Sequence, residues 1–304
     1  MKKKILKIVG LLSVLILLFF ISLPTLLNKA GLHPEFDSKR YDFTNKKAVI
    51  ISTSHSTLNK PGETTGKLTG VYASELTVPY YEFTDSGIEV DLASINGGTI
   101  PIDPESFFYV VKTISDNRYL EDPILKEKVK NSIKIDELEI DNYDLVFIAG
   151  GWGAAYDLGY SKILGKKISQ AYYNPNSIIG GVCHGVLGFI NAKDSLGNLI
   201  IKNRRMTGVT DKQIKELGID FTPQHPEKEL TKAGVIFESK TALRDVFANL
   251  TVTDDESKFV TGQNQNAGHE TPQKMMEILK NKQWILILKT YFQKVPIMIL
   301  KAIG

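Results

Sequence analysis

The sequence contains a single cysteine, which excludes an internal disulfide framework and any cysteine-clustered zinc or iron–sulfur site. It carries no internal repeat and no low-complexity tract. Acidic residues are missing from both ends: residues 1–30 hold five lysines and no acid, and residues 281–304 hold four lysines and no acid. The net charge of +3 therefore leaves residues 31–280 at −6. A body of that sign does not suit nucleic-acid binding, since neutralising phosphates needs a basic face. What is present is ordinary for a globular chain. Hydrophobic residues make up 42% and charged residues 23% of 304, which excludes a disordered chain, a collagen-like fibre and a multi-span membrane protein.

The one long apolar run lies at the start. Ile8 to Leu27 is 20 residues without a charge, enough to cross a hydrocarbon core of roughly 30 Å as a helix. The lysines crowd its N-terminal flank, so the positive-inside rule places Met1 in the cytoplasm and the rest of the chain outside. A cleaved signal peptide shares the basic start and apolar middle. The run is longer than a usual signal core and Asn28-Lys29-Ala30-Gly31 is a poor cleavage site, so the preferred reading is an uncleaved single-pass anchor in the cell membrane. At the other end, Trp284 to Leu300 is apolar but broken by Lys289, Lys294 and Pro296. It reads either as a last helix packed on the domain or as an interfacial segment with lysines reaching anionic lipid.

Four divisions follow: a membrane anchor or signal peptide over 1–30, a linker over 31–45, a catalytic domain over 46–280 and a basic, apolar tail over 281–304. Within the domain, continuous apolar runs at Ala48–Ser52, Ile88–Ala93, Tyr143–Ile148 and Ser177–Val182 read as buried strands. Helical patterns at Val71–Ser86, Glu105–Ser115 and Ser161–Tyr173 separate them, and a closing helix is expected over Gly268–Lys280. Short strands are expected around Ala233–Phe237, Leu250–Thr253 and Lys258–Thr261. The alternation implies an α/β fold, a three-layer sandwich around a mostly parallel central sheet.

Gly181-Val182-Cys183-His184-Gly185 fits the G-x-nucleophile-x-G elbow, in which a strand turns sharply into a helix and exposes the side chain at the corner. A thiol at a helix N-terminus feels the positive end of the macrodipole and is expected to ionise near neutral pH. A lone cysteine is otherwise an inert core residue; the elbow glycines and the adjacent histidine favour a reactive one. His184 is a candidate general base or proton carrier, and its backbone N–H a candidate oxyanion donor.

With these residues, the chain resembles the ThiJ/PfpI superfamily, and most closely its heat-shock chaperone and glyoxalase III-like branch. The resemblance covers nearly all of 46–280. Besides the elbow, it rests on Gly70 to Glu75 followed by Pro79, on Gly87 to Ser94, on Asp103 to Ser106, and on the glycine-rich Ala149-Gly150-Gly151-Trp152-Gly153-Ala154 with Asp157. Thr207 to Asp211 and Thr261 to Asn264 resemble two later signatures. The resemblance implies a flavodoxin-like, class I glutamine amidotransferase-like fold and a pocket beside the elbow. Glu75 would lie against the Cys183 sulfur as a proton shuttle, with Gly151, Trp152 and Gly153 around the pocket. The backbone N–H groups of Gly153 and His184 would form the oxyanion hole. Asp211 matches the position of a third triad member in one subgroup, with Glu216 nearby; it also reads as the N-cap of a helix over Lys212–Leu217. The chain departs from many relatives at Trp152, where they carry a pocket histidine, a departure that bears on substrate choice and glyoxalase activity. Some members hold a metal with a His/Glu/His set; the five histidines here show no such spacing, so neither metal nor cofactor is expected.

The function expected is a membrane-anchored, cysteine-dependent enzyme acting on small reactive carbonyls, of the glutathione-independent glyoxalase or D-lactate dehydratase-like type. The alternatives are an amidase or peptidase using the same nucleophile, and a non-enzymatic chaperone or oxidative-stress sensor. The expected partners are a small-molecule substrate, the lipid bilayer through residues 8–27 and, as an option, a second copy in a homodimer; nucleic acid is not one.

Overall fold

The computed structural model describes residues 2–283. The segment from Trp284 onward, and with it the two readings of the C-terminal tail, lies outside the described residues.

The centre of the body is a seven-stranded sheet. In chain order its strands are β1 (Lys47–Ser52), β2 (Glu89–Ser94), β3 (Ile133–Lys134), β4 (Leu145–Ile148), β5 (Ile178–Val182), β6 (Thr251–Thr253) and β7 (Phe259–Gly262). Their spatial order is β6-β7-β5-β4-β1-β2-β3, and every pair is parallel except β6 with β7. All residues of β4 and β5 are buried, as strands covered on both faces must be. Alternation along each strand divides the core in two. Ile50 and Phe147 point to one side with Leu76, Phe83 and Met275; Val49, Ile51, Val146 and Ile148 point to the other with Leu164, Ile168 and Phe189. Helices cover both faces, giving the three-layer α/β sandwich.

Three elements differ from the sequence reading. Over Glu105–Ser115 the chain makes only a 3-10 turn at Pro104–Phe107, and the helix begins at Ile114. The start is set by a capping box in which Thr113 and Asp116 bond each other's backbone N–H; Asp122-Pro123 then ends that helix and starts another. Ile236–Phe237 pairs with Arg205–Met206 in a separate ladder, outside the central sheet. The edge strand Ile133–Lys134 is too short to carry a periodic signal.

A helix over Lys2–Lys29 precedes the body. Its most apolar 18-residue stretch has a mean hydropathy of 2.7, no residue of the helix is fully buried, and by length and composition it is a candidate span. Residues 31–45, expected as a linker, lie on the body as an extended strap. Leu32 and Phe43 are buried, His33 N–H donates to Asn266 Oδ1 at 2.8 Å, and the Lys39 backbone is bonded at both ends by the Gln273 amide. Two apolar anchors in a polar stretch are too sparse to show as periodicity, yet each fills a socket on the folded domain.

Candidate active site

The site forms where β5 ends. Val182 is still extended, and the chain then turns at Cys183, whose φ of 56° lies in the left-handed region. A non-glycine residue there costs about 1–3 kcal/mol, and such strain persists only where surrounding structure enforces it. Here the enforcement is close packing. A Cβ at Gly185 would lie 2.9 Å from the Ile148 carbonyl carbon, and one at Gly150 would lie 2.7 Å from the Val182 oxygen. The elbow and the glycine-rich loop after β4 can approach only because both positions lack side chains. A seven-residue 3-10 turn, Cys183–Phe189, follows the nucleophile.

Glu75 comes from the opposite layer, in the first turn of the helix Ala73–Thr84, all of which is buried but its last residue. Its carboxyl rests over Gly150, beside the Cys183 sulfur and the Gly150 and Gly151 backbone N–H groups. Burial pushes the Glu75 carboxyl up to about 8, although the neighbouring Cys183 thiol and those two amides lower it, and its Oε2 is buried without a hydrogen-bond partner. Burial likewise pushes the Cys183 thiol well above its usual range, and the adjacent Glu75 charge adds to it; the His184 and Gly151 N–H groups pull the other way. The thiol is therefore raised rather than lowered. The helix dipole, expected to lower the thiol, comes from a short turn, and desolvation outweighs it.

His184 Nδ1 lies 3.5 Å from Cys183 Sγ, and the His184 ring is tilted against Trp152 with centroids 4.9 Å apart. Burial, with His225 nearby, pushes His184 down to about 3, so its imidazole is neutral. Its Nε2 is buried without a partner. Around this group lies a cavity of about 300 Å3, lined by Cys183, His184, Glu75, Gly151 and Trp152 together with Tyr72, Gln213 and Gln265.

The structure thus brings five of the expected residues to one cavity. Gly153 does not line it: its N–H donates to the Gly70 oxygen at 3.1 Å, which leaves the Gly151 and His184 amides as the pair facing the sulfur. Asp211 does not line it either. Its Oδ1 lies 3.1 Å from His225 Nδ1, and Lys228 Nζ is 3.7 Å from its Oδ2. The cap of the helix Asp211–Glu216 is Thr210, whose hydroxyl accepts from Gln213 N–H, so Asp211 is the first helical residue. Glu216 accepts the Asp245 N–H at 2.8 Å and serves the fold. Tyr72 and His225 were not singled out from sequence. Tyr72 sits before the Glu75 helix, and burial raises its hydroxyl above the usual range. His225 precedes Pro226 at a helix start, a local signal for a cap and not for a site. Among the described residues, no group of His, Cys, Asp and Glu is disposed to hold a metal ion.

A strained cysteine at a strand end, facing a buried glutamate over a glycine-rich loop, is the arrangement that the sequence resemblance implied. The DJ-1/PfpI family model matches residues 68–277, well over half of the chain. The chain belongs to the DJ-1/PfpI family. Within it, the chain falls in the glyoxalase III-like branch. It is 30% identical over 233 residues to Glyoxalase 3 of Candida albicans, covering 74% of this chain and 94% of that protein. It is 28% identical over 246 residues to the glutathione-independent glyoxalase HSP31 of Saccharomyces cerevisiae, covering 78% and 99%. Among solved structures, that of Rapid Encystment Protein 24 KDa (REP24) from Francisella tularensis superposes with a TM-score of 0.70 at 32% identity, covering 77% of this chain and 99% of that one. The crystal structure of Candida albicans glyoxalase III gives a TM-score of 0.68 at 26% identity, covering 77% and 97%.

Proposed function

We propose that the protein is a membrane-anchored, glutathione-independent glyoxalase that converts a 2-oxoaldehyde to a 2-hydroxy acid through Cys183. The observation that carries this reading is the contact between the Glu75 carboxyl and the Cys183 sulfur, both buried at the floor of the cavity. With the carboxyl pushed up to about 8, the pair holds both protons just below that pH and shares one above it. In the singly protonated pair, the sulfur attacks the aldehyde carbon, the C–S bond forms and the carbonyl π electrons move to oxygen. The Gly151 and His184 N–H groups stabilise that oxygen until it takes a proton, giving a hemithioacetal. The carboxylate of Glu75 then removes the C1 hydrogen as the C2 carbonyl electrons move to their oxygen, giving an enediolate, and returns that proton to C2 while the C1 hydroxyl proton passes to the C2 oxygen. The result is a thioester of the 2-hydroxy acid. Water cleaves its C–S bond, releasing the acid and restoring the thiol, so the net change is addition of one water.

Neutral His184, 3.5 Å from the sulfur, orients the thiol and relays protons without adding a charge that would compete with the pair. Asp211 with His225 forms a second acid–imidazole pair next to His184 and acts as a positioning group in this scheme. The anchor is the helix Lys2–Lys29, with its lysine-rich start in the cytoplasm and the catalytic domain on the other side.

The test is conversion of methylglyoxal to lactate by the purified full chain in detergent without added thiol. Turnover that is lost in Cys183→Ala supports the reading; activity unchanged by Cys183→Ala overturns it.

A further inference from the structure

The cavity beside Cys183 is larger and more apolar than a three-carbon substrate needs. Its volume of about 300 Å3 reaches the lower end of the range that encloses drug-sized ligands, ~300–1,000 Å3. Besides Trp152, six aliphatic side chains line it: Leu32, Val111, Val209, Leu217, Ile219 and Val246. They come from four separate stretches of chain, so the apolar lining is a shared surface and not the flank of one helix. Among the described residues, neither lysine nor arginine lines it. Its carboxylates beyond Glu75 are Asp103 and Glu105, the first held by the Thr69 hydroxyl at 2.8 Å. A lining of that charge opposes an anionic substrate such as a phosphorylated aldehyde.

Leu32 is the informative member. It belongs to the strap, three residues beyond the end of the leader helix at Lys29, and only 6% of it is exposed. Part of the pocket is therefore built by the segment that joins the leader to the body. A methylglyoxal molecule held at Cys183 would leave much of this lining unfilled, and apolar surface in a preformed pocket gives affinity only when the ligand covers it.

Resting on the glyoxalase reading above, we propose that the preferred substrates are neutral 2-oxoaldehydes carrying an unbranched apolar substituent several carbons long. The reactive end sits at Cys183 and Glu75, the chain lies against the aliphatic lining, and Leu32 covers part of it.

The experiment measures kcat/KM of the full chain for methylglyoxal, butylglyoxal and hexylglyoxal. The transfer value of one methylene, ~0.8 kcal/mol, corresponds to about fourfold per CH2, so butylglyoxal exceeds methylglyoxal on the order of fifty-fold. Leu32→Ser lowers the butyl-to-methyl ratio. Leu217→Ser, at a half-exposed position on a different element, lowers it too and guards against loss of strap docking. Equal or falling kcat/KM along the series, with methylglyoxal turned over, overturns this inference and leaves the glyoxalase reading standing. If no 2-oxoaldehyde is turned over, the glyoxalase reading fails, and the pocket is read by protection of Cys183 from iodoacetamide. Stronger protection by hexanal than by propanal then supports the apolar specificity; equal protection overturns it.

Discussion

Cys183 and Glu75 are each unfavourable as isolated groups. The cysteine holds a left-handed backbone, and the glutamate is a buried carboxyl pushed up to about 8. Together they make a two-proton unit whose first ionisation is useful near neutral pH, since the departing proton leaves a carboxylate able to accept the thiol proton. The sign follows from that raised value: below it the pair is fully protonated and the sulfur inert, and above it the sulfur becomes nucleophilic. The rate of Cys183 alkylation by iodoacetamide should therefore rise with pH through a midpoint near 8. In Glu75→Gln the acceptor is gone while burial remains, so the rise should move above the ordinary cysteine value of ~8.5. Equal neutral-pH reactivity in the two proteins would show that the carboxyl does not govern the thiol. The elbow was legible in the sequence because glycines two residues either side of Cys183 report a local constraint. The raised thiol was not, since its causes are burial and Glu75, 108 positions earlier in the chain.

At the scale of elements, the four long strands were legible because burial on both sheet faces demands continuous apolar runs, as in Leu145–Ile148 and Ile178–Val182. The helix over Ala73–Thr84 was legible from its pattern despite Pro79. What did not show are features whose meaning is set by distant partners. Leu32 and Phe43 in the strap are examples, as is Gly153, whose amide is taken by Gly70. The residues over 105–115 carried a helical pattern, but Pro104 and the Thr113 capping box move the helix start to Ile114. The contact between the elbow and the end of β4 gives a sharp test. Gly185→Ala places a methyl group 2.9 Å from the Ile148 carbonyl carbon and 3.0 Å from that of Ala149, both backbone atoms that cannot swing aside. The variant should lose roughly 1–3 kcal/mol of stability by denaturant unfolding, the usual cost of overpacking, and most of its methylglyoxal turnover. A variant as stable and as active as the parent would show that the close approach is not required.

For the whole molecule, charge and hydropathy are divided between a basic apolar leader and an acidic body, and the strap ties the two together. The leader helix is half-buried only at its last turns, and its apolar residues from Ile5 to Ile21 are exposed among the described residues. A bilayer covers them in the proposed arrangement. The full chain should then stay in the membrane pellet after a high-salt wash, enter solution with detergent, and have a mature mass of 33.9 kDa. A soluble product shortened by the length of the leader would instead identify a cleaved signal peptide. The leader was the easiest feature to read from the sequence and the catalytic domain the next; their joining was hidden, because the strap's contacts with Asn266 and Gln273 link positions more than two hundred residues apart.

The central claim is that Glu75 moves the proton for a reaction that Cys183 begins. The most direct measurement is kcat/KM for methylglyoxal in Glu75→Gln beside the parent chain, with Cys183 shown to be alkylated at high pH in both. The account predicts a loss of about 10²–10⁴-fold, the range that general acid–base catalysis contributes. A Glu75→Gln chain with the kcat/KM of the parent would contradict it.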